Sequence, residues 1–282
     1  MKADIVIKNG RVVDPARNFD GEADIAIKDG KISALPAGAA IQAECEFDAA
    51  GAFVLPGLID YHAHVFSCCS DFSINPSLLA AAGVTTAVDP GTAGTANCEA
   101  CEAFAKFQAI RLKYLLNVSP TGLPTLRYHE NVDPAVWDRG RLREVLTTHP
   151  DCVGLKVRQS RGIVGGLGIE PLKEAVMLAA ECGTRCVVHV TDPPCSMGGI
   201  ADTLRAGDVF CHLYHGQGQT MLDANGKLLP GLLEARKRGV LFDAANGRNH
   251  FRFETAEAAL AQGFAPDIIS TDATTLSFNK AC

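Results

Sequence analysis

The chain reads as α/β, a (β/α)8 TIM-type barrel preceded by a small antiparallel β unit. Three observations predict this. From Gly57 onward, eight apolar, branched segments recur with helical patterns between them. Gly83, Gly183, Gly239 and Gly263 stand where glycines end helices. Before Gly57 the rhythm is different: short alternating runs are separated by the turn pairs Asn9-Gly10 and Asp29-Gly30.

In the first segment, Ile5-Val6-Ile7 and Arg11-Val12-Val13 flank Asn9-Gly10, and Ile25-Ala26-Ile27 and Lys31-Ile32-Ser33 flank Asp29-Gly30. Each pair is expected to be a hairpin, so residues 1–56 form a small β-sandwich unit that carries no cluster of catalytic residue types. Residues 57–282 form the barrel. Its expected strands are Leu58–His64, Thr85–Asp89, Tyr114–Val118, Val153–Val157, Cys186–Val190, Val209–Leu213, Val240–Asp243 and Ile268–Asp272. Expected helices include Cys98–Leu112, Pro171–Cys182, Leu232–Arg238 and Thr255–Gln262. Only ten residues follow Asp272, too few for an eighth helix, so a barrel incomplete at its C-terminus is expected.

Composition narrows the function classes. The 282 residues are 47% hydrophobic and carry a net charge of -6, enough apolar content for a large core and no electrostatic reason to bind nucleic acid or anionic membrane. No run of about 18 apolar residues exists to span a bilayer. The opening Met1-Lys2-Ala3-Asp4-Ile5-Val6-Ile7-Lys8 is too charged for a signal peptide. Eleven cysteines scattered through apolar segments read as reduced, buried thiols of a cytoplasmic protein. Cys98-x-x-Cys101 has redox or zinc-pair spacing, yet it lies on a helical pattern and lacks a second pair. The expected partner is a small-molecule substrate, and homo-oligomerisation is left open.

The chemistry collects at strand ends. In Pro56-Gly57-Leu58-Ile59-Asp60-Tyr61-His62-Ala63-His64, residues two apart on a strand share a face, so two imidazoles stand roughly 7 Å apart, a spacing that suits a zinc-like cation. Later strand ends supply Lys156, His189, His212 and Asp272. Each has an ordinary reading: an ion-paired lysine, core histidines, a helix-capping aspartate. Together, four imidazoles, a carboxylate and a lysine on one rim have the composition of a two-metal hydrolytic site. Arg158, two residues past Lys156, faces either a substrate carboxylate or a structural ion pair.

With those residues in view, the chain resembles the amidohydrolase superfamily, and most closely its amidohydrolase/deacetylase branch, which is similar to dihydroorotases. The resemblance rests on Pro56-Gly57-Leu58-Ile59-Asp60-x-His62-x-His64, Gly154-Leu155-Lys156-Val157-Arg158, Val188-His189-Val190, Cys211-His212-Leu213-Tyr214-His215-Gly216 and Ile269-Ser270-Thr271-Asp272, in order along nearly the whole chain. It implies two divalent ions, zinc by ligand type. His62, His64 and Asp272 hold the more buried ion and His189 and His212 the second, with Lys156 bridging them as a CO2-derived carbamate. It also implies a metal-bridging hydroxide that attacks a carbonyl, with Asp272 as general acid/base. His215 and Asn246 are expected beside the substrate. Where the branch has Gly-His-Gly after the seventh-strand aspartate, this chain has Asp243-Ala244-Ala245-Asn246-Gly247, one imidazole fewer. The expected activity is hydrolysis of an amide or ester bond, by preference deacetylation of a small N- or O-acetylated carboxylate. The alternatives are a cyclic amidase of the dihydroorotase or hydantoinase type and a non-catalytic structural barrel paralogue.

Overall fold

The computed structural model describes residues 2–36, 38 and 40–278, so the last four residues of the expected barrel segment lie outside it. The chain forms two compact units, Met1–Leu58 and Ile59–Cys282. Among the described residues no helix is long and apolar enough to cross a membrane.

The first unit is built on one long strand, β1 (Lys2–Asp14), which pairs antiparallel with β2 (Phe19–Lys28). β2 pairs antiparallel with β3 (Lys31–Pro36). β4 (Gln42–Asp48) and β5 (Phe53–Val54) add to β1 in parallel. Among the described residues this is a single five-stranded sheet, where a sandwich was expected, because four of the five strands meet at or next to β1. Asp29-Gly30 is a tight hairpin turn, with φ of +50° and +71°. Asn9-Gly10 is not a turn. β1 runs straight through it with a register shift between Ile7 and Gly10, and Asn9 at φ +61° makes a bulge. The Asn9 amide donates to Asp24 Oδ1 (3.2 Å) and its side chain to Asp48 Oδ1 (2.9 Å), and a Cβ on Gly10 would lie 2.5 Å from Val54 Cγ2. The residue chemistry of a hairpin turn serves here to kink a strand against its neighbours.

The second unit contains seven parallel strands in chain order: β6 (Leu58–Asp60), β7 (Val84–Asp89), β8 (Arg111–Asn117), β9 (Cys152–Arg158), β10 (Cys186–His189), β11 (Val209–Cys211) and β12 (Leu241–Asp243). Helices longer than one turn are α1 (Cys98–Ala105), α2 (Arg139–Thr148), α3 (Glu170–Glu181), α4 (Met197–Thr203), α5 (Pro230–Arg238) and α6 (Phe253–Ala261). α1 is shorter than its apolar pattern suggests, because Arg111 and Leu112 are taken up by the β7–β8 ladder.

Alternation sorts the strand residues. Leu155, Val157, Val188, Phe210 and Phe242 point outward and join the large core with the helices. Leu115, Val187, Val209 and Cys211 fill the barrel interior with Val88. Lys156, His189 and Asp243 share the parity of the inward set. Each fully buried aliphatic or aromatic side chain contributes about 1.5–3 kcal/mol, so this pattern fixes the register of every strand.

The expected eighth strand is not a continuous strand. Residues 268–273 instead bridge the two edges by single parallel contacts, Asp243 with Ile268 and Ala63 with Ala273. Ile268 N donates to Phe242 O (3.1 Å) and Ala244 N to Ile268 O (3.0 Å) on one side. On the other, Asp272 N donates to His62 O (2.6 Å) and His64 N to Ala273 O (3.0 Å). Buried Asp60 reinforces the seam, accepting from Thr271 N (3.2 Å), Thr271 Oγ1 (2.6 Å) and His62 N (3.1 Å).

Asp60→Ala removes three acceptor contacts at once and leaves the buried His62 amide unmatched. The expected loss is about 3 kcal/mol in urea unfolding. Glu181→Ala, which removes a surface partner of Arg143, should cost less than about 1 kcal/mol. Equal losses would show that the seam does not hold the barrel closed.

Candidate metal centre

The seam brings the two ends of the barrel sequence together. His62 Nε2 lies 3.6 Å and His64 Nε2 3.8 Å from Asp272 Oδ1, and the three side chains can offer ligand atoms to one point. His64 is aimed by its other nitrogen, Nδ1, which meets Thr92 Oγ1 at 3.0 Å. Thr92 is itself held by Asp89, whose Oδ1 accepts from Thr92 N (2.7 Å) and Gly91 N (3.2 Å) and whose Oδ2 accepts from Val65 N (2.9 Å). The Nδ1 of His62 lies 3.5 Å from Asp243 Oδ2, and Ser270 Oγ donates to both oxygens of that carboxylate. Thr92 thus holds one nitrogen of His64 and leaves the other free for a cation, whereas buried His62 Nδ1 has no hydrogen-bond partner among the described residues.

The next two histidines follow the same logic. His212 Nδ1 donates to the carbonyl of Ala245 (2.7 Å), so its buried Nε2 carries a lone pair and has no hydrogen-bond partner among the described residues. His189 meets Thr191 Oγ1 through Nε2 (2.8 Å), leaving Nδ1 for the site. The His189 and His212 rings stand 4.3 Å apart. Lys156 is 2% exposed, and its Nζ has no hydrogen-bond partner among the described residues. A buried ammonium without a counter-charge is costly, so this side chain suits conversion to an anionic group that ligates. Gly91, at φ +106°, gives it room: a Cβ there would sit 2.9 Å from Lys156 Cγ. The unmatched nitrogens of His212 and Lys156, with the His62, His64 and Asp272 triplet, fit a divalent metal centre.

His62, His64, Lys156, His189 and Asp272 floor a cavity of about 180 Å³, walled by Phe72, Leu123, Leu126 and Leu276, with buried His212 just outside the lining. Arg158 lines it, but one guanidinium nitrogen is already taken by buried Glu130 (2.9 Å), the structural ion pair that was the alternative for this residue. Two expected substrate contacts, Asn246 and His215, are not among the residues that line this cavity. Asn246 is exposed and lies outside the lining, its carbonyl accepting from His250 N (3.2 Å). His215 is fully buried and also outside the lining, its Nδ1 accepting from Gln217 N (3.2 Å). Its buried Nε2, like that of His212, has no hydrogen-bond partner among the described residues.

The loop after β12 restores the imidazole that the Asp243–Gly247 motif lacks. His250 Nδ1 donates to Asp272 Oδ2 at 2.7 Å, and its ring lies 4.1 Å from that of His212. With His212 and Asp272 it forms a second cluster of ligand atoms. Arg248 and Asn249 line the cavity beside it. Sequence reading missed His250 and Arg248 because they sit in an irregular loop with no period to place them. The only available signal is the density of polar residues in Asn246-Gly247-Arg248-Asn249-His250. Gly247 permits the loop's approach: a Cβ on it would fall 2.3 Å from Asp272 Oδ2. His212 and Asp272 themselves adopt φ of +63° and +49°, a backbone strain of about 1–3 kcal/mol each that the surrounding contacts must hold.

Burial sets the protonation states. It pushes His64 down to about 3 and holds His189 and His212 well below their ordinary value. Burial also acts to raise Asp272, but its bond from His250, with the adjoining imidazoles, outweighs that and keeps it below the usual carboxylate range. Neutral imidazoles and an ionised carboxylate are the ligating forms. These histidines are depressed in the folded state, so between their folded values and 6.5 the unfolded chain binds more protons. Stability of the metal-free protein should therefore fall as pH drops below about 6.5, and a midpoint of urea unfolding that stays flat from pH 7 to 4.5 would contradict this.

No family model matches the chain. It is 36% identical to a deacetylase of Agrobacterium fabrum over 86% of its own length and 61% of that protein's. It is 31% identical to a deacetylase of Enterococcus faecalis over 96% of its own length and 73% of that protein's. The chain thus spans roughly two thirds of these relatives. Among solved structures, a dihydroorotase matches with a TM-score of 0.86 at 32% identity, covering 98% of this chain and 73% of the other. An adenine deaminase matches with a TM-score of 0.88 at 31% identity, covering 96% and 73%. Relatives with this identity and coverage, on a barrel that carries histidine, lysine and aspartate at its strand ends, establish that the chain belongs to the amidohydrolase superfamily, among its deacetylase and dihydroorotase-like members.

Proposed function

We propose that the chain is the catalytic part of a metal-dependent hydrolase of amide or ester bonds, a deacetylase that acts on a small N- or O-acetylated carboxylate. The buried, unpartnered Lys156 Nζ beside His62, His64, His189 and Asp272 carries the reading. His62, His64 and Asp272 would hold one divalent ion and His189 and His212 a second, with Lys156 as a carbamate between them; zinc suits a mainly imidazole set. Bound there, the ions supply Lewis-acid polarisation of a carbonyl and a nucleophile derived from water.

The chain's own groups divide the remaining work. Asp272 is ionised and can take a proton at Oδ1, while Oδ2 stays anchored by the His250 Nδ1–H. His250 fixes the orientation of that carboxylate. Phe72, Leu123 and Leu126 offer an apolar wall for an acyl methyl and exclude water from it. Arg248 lies on the cavity lining and forms no ion pair among the described residues, so it is better suited than Arg158 to receive a substrate carboxylate. The deacetylase names of the relatives support an acetyl group. The dihydroorotase fold match keeps cyclic amides as the second substrate class.

The direct test is a screen of N-acetyl amino acids and O-acetyl acids against cyclic imides and hydantoins, with metal content measured on the same preparation. Turnover of acetylated acids with two ions per chain supports the proposal; turnover of cyclic amides alone moves it to the second class. Lys156→Ala should lower bound metal and abolish turnover, with partial return of both when a short carboxylic acid is added. Unchanged metal content in that variant removes Lys156 from the ligand set.

The arginines separate by substrate dependence. Arg248→Met should raise KM for acidic substrates about tenfold, or 1.4 kcal/mol, and leave neutral analogues unaffected. Arg158→Met strands buried Glu130, so it should weaken folding and lower activity toward both substrate types alike. The reverse pattern would return the carboxylate-binding role to Arg158.

A further inference from the structure

Cys98-x-x-Cys101 looked like a pair, but its two sulfurs part company in the fold. Cys98 Sγ turns to Glu99 Oε2 (3.2 Å), whereas Cys101 Sγ, one turn along α1, meets Cys69 Sγ at 3.4 Å. Cys69 comes from the loop that follows the strand end carrying His62 and His64, and Cys68 Sγ lies 3.5 Å from it. The three sulfurs all lie within 4.8 Å of one another. None of them lines the cavity of the metal centre.

The cluster grades from outside to inside. Cys68 is exposed, Cys69 half-buried and Cys101 fully buried. Its position is held by the backbone, since Cys69 N donates to Phe66 O (2.9 Å) and Cys101 N to Asn97 O (3.1 Å). Phe66 and Val65 in turn donate to Asp89, the carboxylate that also holds Thr92 behind His64. Sulfurs bound to one tetrahedral cation at about 2.3 Å stand roughly 3.8 Å apart, so small side-chain adjustments would seat an ion between these three.

We propose that Cys68, Cys69 and Cys101 form a second cation site, a three-thiolate site for a thiophilic d10 cation such as zinc, with water from the exposed Cys68 side completing the coordination. Binding converts three S–H groups to three metal–sulfur bonds and releases three protons to solvent, with no change of oxidation state. The bound ion clamps the loop of residues 65–70 to α1. Partial desolvation beside Cys69, and the bond to its sulfur, push the Cys68 thiol up to about 12, and burial pushes Cys101 upward, which disfavours the thiolate that a peroxide-sensing thiol needs, whereas a cation can displace the proton directly. Soft thiolate donors without oxygen or imidazole select this class of cation over magnesium or calcium.

The test is a titration of the reduced, metal-free protein with cadmium(II) alone under argon, following ultraviolet thiolate-to-cadmium charge-transfer absorption and proton release. Imidazole and carboxylate ligation at the other site gives no such band, and Cys211, near His62 and Asp243, can add at most one sulfur. The expected result is a band that saturates, with about three protons released per ion bound at the three sulfurs. The band should fall by about a third in Cys68→Ser, fall further in Cys69→Ser and Cys101→Ser, and stay unchanged in Cys98→Ser. Cys68 is exposed, so its variant keeps the test decisive even where replacement of buried Cys101 impairs folding. Zinc should also raise the unfolding temperature of the wild type more than that of Cys68→Ser. A full band in Cys68→Ser, an equal loss in Cys98→Ser, or a Cys69–Cys101 disulfide in protein purified anaerobically would each overturn the proposal. None of these outcomes depends on hydrolytic activity.

Discussion

The closure of the barrel between its first and last strand segments is the constraint on which the rest of the site depends. It is made with few hydrogen bonds. Residues 268–273 reach β12 through Ile268 and β6 through Asp272 and Ala273, and Asp60 adds a carboxylate that grips Thr271 by backbone and hydroxyl. Asp272 is more than two hundred residues from His62 in sequence, yet its backbone amide donates to the His62 carbonyl. The same hydrogen bond that shuts the sheet therefore sets the carboxylate against the two imidazoles. A short, irregular closing segment is tolerable because its polar side chains are paired: Asp243 with Ser270, Asp60 with Thr271, Asp272 with His250.

The electrostatics of the cavity floor follow from burial. Four histidines within a few ångströms cannot all be charged in a low-dielectric pocket, and desolvation keeps His64, His189 and His212 neutral. Their outward nitrogens are occupied by Thr92, Thr191 and the Ala245 carbonyl, so the inward nitrogens are left for the site, and that of His212 has no hydrogen-bond partner among the described residues. Such a site stores unfavourable free energy as unmatched polar atoms and strained backbone at His212 and Asp272. Cation binding would relieve it. The preorganisation lies in the second layer, where Asp89 holds Thr92 and Thr92 holds His64.

The loop after β12 gives this chain its individual character. Where the family pattern places an imidazole directly after the strand, this sequence has alanines and Asn246, and His250 arrives from four residues further on to bond Asp272. Gly247 allows the approach, because any side chain there would collide with the Asp272 carboxylate. The loop also brings Arg248 to the cavity, so one irregular segment supplies both an anchor for the carboxylate and a positive group for substrate.

The amino-acid sequence by itself determined the strand-and-helix alternation, the inward parity of Lys156 and His189, and the presence of His62, His64 and His212 just past strand ends. These are legible because apolar burial imposes a period of two on strands and because metal-ligand residue types are rare in apolar runs. It also determined the Asp29-Gly30 hairpin, since two positive-φ residues suit little else. Only the tertiary structure decided the rest. Asn9-Gly10 became a bulge because Asp24, Asp48 and Val54 surround it. Arg158 was drawn to Glu130, and neither Asn246 nor His215 came to line the cavity. Cys101 found Cys69 and not Cys98. In each case the deciding partner lies far away in sequence or in a loop without periodicity, and side-chain partners of that kind are set by the packed fold, which no local pattern records.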